Sequence, residues 1–204
     1  MKKLNLGCGQ FPKPGFVNVD FDPASGAEIL HDLTKAPYPF EDGEFEHIEA
    51  DHVLEHLPDT MAVMREMVRM LRPGGTIDIR VPHFSRGFTH WDHKRGFDVG
   101  FPLYFQPDFK GGYSGIELEL VNLRLTWFAQ PWLKRLVFPL PLYLAGRALG
   151  IIFDFLANLS PYVASRLFCF WVGGFEELSM RFRKPLSSAP ASVSDSARGD
   201  RDRL

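Results

Sequence analysis

The chain has 204 residues, which fits one domain with an appendage. Hydrophobic residues make up 45%, charged residues 24%, and the net charge is −2; this excludes a disordered chain, a collagen and a nucleic-acid binder working by bulk charge. Cys8 and Cys169 are the only cysteines, too few for a cysteine metal cluster or a disulfide scaffold. No apolar stretch of signal-peptide length follows Met1-Lys2-Lys3, so the expected compartment is the cytoplasm.

The charges and aromatics are unevenly spread. Residues 1–122 carry 12 Lys/Arg against 19 Asp/Glu, whereas residues 123–184 carry 8 against 3. Residues 128–174 hold 10 of the 28 aromatic side chains and only 5 charges. An acidic body is thus followed by a basic, aromatic segment. The organisation expected is a core over 1–127, an apolar helical insertion over 128–174, a last core strand over 175–184 and a disordered tail over 185–204, which lacks aromatics.

In chain order, Lys3–Leu6 reads as a short buried strand that stops at Gly7-Cys8-Gly9. Residues 15–20 read as a second strand, with Val17 and Val19 alternating and Asp20 at its tip, and 28–32 and 45–50 as a third and fourth. Asp59 suits the N-cap of a helix over 60–71, on which Met61, Met64, Met67, Val68 and Leu71 share a face. Pro73-Gly74-Gly75 stops that helix, and 76–81 is a fifth strand. Ile116, Leu118 and Leu120 alternate with glutamates as a sixth. Glu177–Arg183 alternates as the last, and these two are predicted to pair antiparallel at one sheet edge. Within the insertion Pro139 and Pro141 break the chain, 147–159 can be helical, and Ser160-Pro161 opens a helix that Gly173-Gly174 ends. Strands alternating with helices or long connections make an α/β fold with a mostly parallel sheet, an antiparallel last strand and a helical insertion before it.

A strand ending in glycines lets a ligand approach bare backbone, and an acidic residue at the next strand's tip accepts hydrogen bonds from ribose hydroxyls. Gly7, Gly9 and Asp20 supply both features. The dinucleotide fingerprint is incomplete, because Pro12 occupies its last glycine position. The 12 residues between Gly7 and Asp20 also leave no room for the long helix whose N-terminus holds a pyrophosphate. A cofactor without phosphates needs no such helix.

Asp32-Leu33, Ala36-Pro37-Tyr38-Pro39-Phe40, Asp42-Gly43-Glu44-Phe45-Glu46, Val53-Leu54-Glu55-His56-Leu57 and Leu71-Arg72-Pro73-Gly74-Gly75 follow in that order. With Leu4–Gly9 and Asp20, the series resembles the class I S-adenosylmethionine-dependent methyltransferases. It is most similar to small methyltransferase-domain proteins encoded with surface-glycan genes. The resemblance is strong over 3–95 and looser over 115–184. It implies a Rossmann-like sheet and S-adenosyl-L-methionine as cofactor. It further implies that Asn5, Gly7, Cys8 and Gly9 form the loop under the methionine and ribose, and that Asp20 holds the ribose hydroxyls. Asp32 would accept from the adenine amino group, the Leu33 N–H would donate to the ring, and Asp51 would meet the methionine part. Three departures stand out: Asn5 replaces the usual acidic residue, Phe11 the third glycine, and the first helix is nearly absent. His56, at helical spacing after His52, is read as packing under its loop.

Beyond the fifth strand come Val81-Pro82-His83-Phe84-Ser85-Arg86 and Thr89-His90-Trp91-Asp92-His93. Ligands of open α/β sheets bind past the carboxyl ends of the strands. His83 is therefore expected to meet the acceptor, with Asp92 and His93 on a loop folding over it. A histidine near neutrality suits removal of a proton from an attacking hydroxyl. His83, His93 and Asp92 are the candidate catalytic residues, with an ordinary structural loop as the alternative. His83, His90, Asp92 and His93 include metal-ligand types, but their spacing matches no standard zinc pattern and no metal is expected.

In the insertion Ile151, Ile152, Phe155, Leu156 and Leu159 recur at helical spacing, flanked by Lys134, Arg135, Arg147 and Arg166. This suits peripheral contact with an anionic membrane surface, at the inner face of the membrane; an intramolecular cap or a subunit interface is the alternative. The prolines, Arg147 and Asp154 argue against a spanning helix. The expected function is methyl transfer to an O or N nucleophile of a small-molecule, sugar or lipid-linked acceptor, with no nucleic-acid partner. The alternative is a non-catalytic cofactor-binding or adaptor protein docking through the insertion.

Overall fold

The computed structural model describes residues 2–87 and 90–186. Seven strands form one sheet: β1 (Lys2–Leu6), β2 (Val17–Asp20), β3 (Ile29–Leu30), β4 (Phe45–Asp51), β5 (Leu71–Pro82), β6 (Glu119–Thr126) and β7 (Glu177–Arg183). Their spatial order is β3-β2-β1-β4-β5-β7-β6. The first five strands run parallel, and β7 is antiparallel to both β5 and β6. The expected mostly parallel, Rossmann-like sheet is present. Chain order reverses between β1 and β4, so the loops leaving these two neighbours diverge and open a crevice at their carboxyl ends.

The crossover from β1 to β2, residues 7–16, contains no helix. A buried asparagine does the helix's work of holding the loop down. Asn18 Oδ1 accepts from the Lys13 N–H (2.7 Å) and from Asn5 Nδ2 (2.8 Å), and its Nδ2 donates to the carbonyls of Lys13 and Phe16 (3.1 Å each). Without a full helical layer, one face of the sheet stays polar. Glu49, Asp78 and Arg181 stand in register across β4, β5 and β7, and Arg181 donates to both Asp78 oxygens at 2.6 Å. A parallel sheet covered on both sides reads as unbroken apolar runs. Here Ile48, Ala50, Ile77, Ile79, Val81, Leu178, Met180 and Phe182 are buried and alternate with these polar residues.

Helix α1 (Thr60–Met70) begins where the Asp59 carboxylate accepts the Ala62 N–H at 2.9 Å. Met64 and Met67 are fully buried as expected, with Val63 and Met70 beside them. Strand β5 starts at once with Leu71, so Pro73-Gly74-Gly75 does not end the helix. It lies in a bulge of the strand, where pairing jumps from Phe45↔Leu71 to His47↔Thr76.

Two other expectations change. The sixth strand is Glu119–Thr126, not 116–120. Ile116 and Leu118 are buried under a 3-10 turn, Phe101–Phe105, to which the Leu118 N–H is bonded. A bulge between Leu120 and Asn122 then leaves Val121 exposed, which hides the strand's alternation. In the insertion, α2 (Pro131–Val137) is followed by α3, which spans Leu140–Leu159 rather than 147–159. Pro139 and Pro141 sit at its N-cap and first turn, where a missing N–H costs nothing, so they start the helix instead of breaking it. A further helical stretch over 161–171 contains a π-helical turn, Ala164–Phe168. From residue 187 on, the expected disordered tail lies outside the described residues.

Candidate functional site

Gly7 and Gly9 both turn in the left-handed region, at φ 66° and 51°. A Cβ on Gly7 would also stand 2.6 Å from Val53 Cγ2, whereas one on Gly9 would meet nothing within 4 Å. The first glycine is thus required by packing, and the second leaves an open approach to the backbone. Asp20 is buried at the tip of β2, and its two oxygens accept the N–H groups of Gly9 (2.8 Å) and Asp22 (3.0 Å). It ties the loop to the strand and keeps one lone pair on each oxygen. Cys8 is buried, its thiol pushed up by burial and by the nearby Asp20 charge. Asn5 donates to the Phe11 carbonyl and to Asn18, so its amide is committed to shaping the loop.

A cavity of about 370 Å³ opens beside this loop, lined by Asn5, Gly7, Cys8, Asp51 and His52 and roofed by Phe128 and Trp132 of the insertion. Trp132 meets Phe11 edge-on at 5.6 Å, closing the roof onto the glycine loop. Asp51 pairs with Arg80 at 2.8 Å on the floor of this cavity. Asp32 and Leu33 lie further along, beyond β3. Leu33 is buried, and Asp32 accepts from the Thr34 N–H and hydroxyl, bonds that hold its carboxyl below the usual range.

A second cavity, of about 480 Å³, adjoins the first and shares His52, Ala129 and Gln130 with it. His56, His90 and His93 line its other side. His52 is clamped: Nδ1 donates to Glu55 (3.0 Å) and Nε2 to Glu177 (3.2 Å), and these carboxylates overcome the burial that opposes charge, raising its pKa to about 10. It is an imidazolium at neutral pH, held on a left-handed backbone (φ 55°) between the two cavities.

The candidate catalytic residues are placed differently from one another. His93 lines the second cavity, with Nδ1 donating to the Gly87 carbonyl at 2.6 Å and Nε2 left as the basic nitrogen. Asp92 stands one step back, 3.1 Å from His56 Nδ1. His83 does not meet the site at all. It is fully buried, 2.7 Å from Ser85 Oγ and 2.9 Å from Ser165 Oγ. Ser165 donates on to Asp98 (3.4 Å), so His83 Nε2 carries the proton and Nδ1 accepts from the Ser85 hydroxyl. Burial lowers its pKa to about 4. It is a neutral clasp between the end of β5 and the insertion, correcting its assignment as a base. Four of the chain's seven histidines, His52, His56, His90 and His93, line one cavity; only His93 among them is a catalytic candidate from sequence. The spacings His52/His56 and His90/His93 carried a signal, but only the fold brings the two pairs together.

The insertion serves as a roof at one end and presents a bare surface at the other. Lys134 reaches the Ala129 carbonyl and Glu176, fixing the roof. Along α3, Asn158 Oδ1 accepts the Leu125 N–H (2.9 Å) and Asp154 the Trp127 N–H (2.7 Å), which pin the helix along β6. By length and composition α3 is long and apolar enough to cross a membrane, yet these bonds hold it on the sheet. Ile151, Phe155, Phe170 and Trp171 are 66–84% exposed.

Residues 16–79 match the family model of the methyltransferase domain. Demethylmenaquinone methyltransferases of Bacillus cereus and Bacillus anthracis are each 33% identical over 79 residues, or 39% of this chain. The match spans 30% of the length of those curated relatives. Among solved structures, an S-adenosylmethionine-dependent methyltransferase from Mesorhizobium loti superposes with a TM-score of 0.52 at 14% identity, covering 90% of each chain. The Bacillus subtilis YcgJ protein gives 0.50 at 15%, covering 90% of this chain and 92% of that one. The [4+2]-cyclase SpnF gives 0.50 at 14%, covering 91% and 75%. Residues 16–79 are therefore similar to a methyltransferase domain, and the chain has a class I, Rossmann-like fold. SpnF is named as a cyclase, so the fold alone names no reaction.

Proposed function

From a methyltransferase-domain match lying within a class I fold, we propose that the chain is an S-adenosylmethionine-dependent methyltransferase acting on an O or N nucleophile. The observation that carries this reading is the pair of adjoining cavities. One lies against Gly7, Cys8 and Asp51, where the cofactor's methionine end belongs, and the other is lined by histidine side chains, where an acceptor belongs. S-adenosyl-L-methionine supplies an electrophilic methyl on a sulfonium. The chain's own part is to hold the acceptor in line with it and exclude water, the role that proximity and orientation play in most of such a rate enhancement. Asn5, Gly7, Cys8 and Gly9 shape the bed, Asp20 holds the ribose with its remaining lone pairs, and Asp32 and the Leu33 N–H meet the adenine. Asp51 meets the methionine part. His93 Nε2 takes the acceptor's proton, and Asp92 fixes the neighbouring His56.

The acceptor is a small molecule, a sugar or a lipid-linked molecule. The exposed apolar face of α3 and the 161–171 stretch favours the last of these, through peripheral contact with an anionic bilayer. Arg135 and Arg147 stand exposed at its rim. Arg166 is a poor probe of this contact, since it pairs with Asp98 at 2.6 Å beneath the His83 clasp. Calorimetry tests the core of the reading: S-adenosylhomocysteine should bind with one site and NAD should not. Binding of NAD alone, or of neither, would refute it.

A further inference from the structure

We propose that His56, His90 and His93 form a binding site for one divalent cation of the zinc class at the mouth of the acceptor cavity. One ring nitrogen from each lies within 4.8 Å of the other two. A tetrahedral zinc with nitrogens at about 2.1 Å needs them about 3.4 Å apart, so the rings close by roughly an ångström. His90, the exposed member, has room to make that movement.

Three features show a site built for ligation rather than a chance gathering. First, two of the rings are fixed from behind. His93 Nδ1 donates to the Gly87 carbonyl (2.6 Å) and His56 Nδ1 to the Asp92 carboxylate (3.1 Å). Each bond sets the tautomer that leaves the Nε2 lone pair for a metal, and carboxylate–histidine pairs of this kind raise ligand basicity. Second, a buried carboxylate stands behind the cluster, and it shares the single His52 imidazolium with Glu177. Glu55 is fully buried, its Oε1 is 4.0 Å from His93 Nε2, and its Oε2 has no hydrogen-bond partner. A cation nearby offsets that charge. Third, all three histidines line the cavity, so the remaining coordination position faces whatever fills it. Three imidazoles with one open position is the arrangement of a catalytic zinc site, not of a closed structural one. Imidazole ligands suit zinc over magnesium or calcium.

The role of the cation rests on the methyltransferase reading: bound to an acceptor oxygen, it would lower that oxygen's pKa. It would also replace His93 as the proton acceptor, because both roles use the same nitrogen lone pair. Binding itself does not depend on that reading. The test uses the full chain without an affinity tag, stripped with a chelator, and titrated with zinc chloride against a chromophoric indicator. S-adenosylhomocysteine affinity is measured in parallel. One equivalent should bind, and His56→Ala and His90→Ala should each weaken it about 10–100-fold or more, with unchanged thermal melting and cofactor affinity. Asp92→Asn should weaken it about tenfold, the scale of an outer-shell change. Equal zinc binding by wild type and the His56→Ala/His90→Ala variant, or none by either, overturns the site. Zinc binding without S-adenosylhomocysteine binding leaves the site standing and overturns the methyltransferase reading alone.

Discussion

His52 is the residue whose replacement should reveal most about how the site is held together. Its imidazolium bridges Glu55, fully buried, and Glu177, mostly buried. Raising a histidine pKa from 6.5 to about 10 corresponds, at about 1.36 kcal/mol per unit, to about 4–5 kcal/mol. The ring is 25% exposed, so solvent reduces this to about 2–4 kcal/mol. The sign follows from linkage. Between pH 6.5 and 10 the folded protein holds a proton the unfolded chain has released, so stability falls as pH rises through that window and is fully present below it. His52→Gln keeps hydrogen-bonding capacity but not the charge. Urea denaturation from pH 6 to 10 should show wild type losing about 2–4 kcal/mol more than the variant. At pH 7 the variant should be weaker by a similar amount, since it leaves a buried carboxylate without its counter-charge. Parallel pH profiles for the two proteins would refute the clamp.

Asp20→Ala should weaken S-adenosylhomocysteine binding by about 1–3 kcal/mol in calorimetry, the cost of losing a hydrogen-bonded charged acceptor; unchanged affinity would show that the tip of β2 does not hold the ribose. Gly7→Ala should abolish cofactor binding and lower the melting temperature, because the added methyl meets Val53 at 2.6 Å on a backbone at φ 66°; Gly9→Ala should be milder in melting. His83→Gln should leave turnover per folded molecule unchanged. Because His83 is neutral in the fold with a pKa near 4, the unfolded chain binds its proton first, and stability declines as pH falls from 6.5 towards 4; the variant should lack about 2–3 kcal/mol of that decline in acid titrations followed by circular dichroism. Vesicles of anionic phospholipid should sediment the wild type at low salt and release it at high salt, and Arg135→Glu with Arg147→Glu should prevent sedimentation while cofactor binding persists.

Much of the core was legible because each signal was local. The alternation of Val17 and Val19, the glycines after Leu6, and Asp59 before an amphipathic run each describe one element, and the elements appear where those residues stand. Boundaries slipped where one residue had two uses. Leu118 looked like an inward strand residue; it is buried, but against the turn at Phe105. Pro141 looked like a breaker and is a helix starter. His83 was misread for a subtler reason. Its position at the end of β5 was right, but the insertion, 82 residues later in sequence at Ser165, folds over that end and takes it out of the site. Periodicity has no access to such a contact. The histidine gathering is of the same kind: a pair after β4 meets a pair after β5 only because those strands are neighbours with their carboxyl ends together.

The bare face of the sheet follows from the short crossover between β1 and β2. A crossover of ten residues cannot lay a helix across β1 and β4, so polar residues must line what the helix would have covered. The alternation His47–Ile48–Glu49, Asp78–Ile79–Arg80 and Ser179–Met180–Arg181 is how the sequence meets that demand, with Arg181 and Asp78 closing a two-bonded ion pair across strands. The loop then depends on side-chain bonds where a helix would have supplied backbone ones, and Asn18 makes four of them. Asn5 holds the proposed cofactor bed by joining Asn18, and a carboxylate could not take its place: two carboxylate oxygens could not donate to Asn18 Oδ1 and the Phe11 carbonyl. The amide at Asn5 and the missing helix between β1 and β2 are thus a single adaptation, and Asn5→Asp should loosen the loop and weaken S-adenosylhomocysteine binding rather than strengthen it. Calorimetry decides: tighter binding by the aspartate variant would mean that the carboxylate's contact with the cofactor ammonium outweighs the loop it unties.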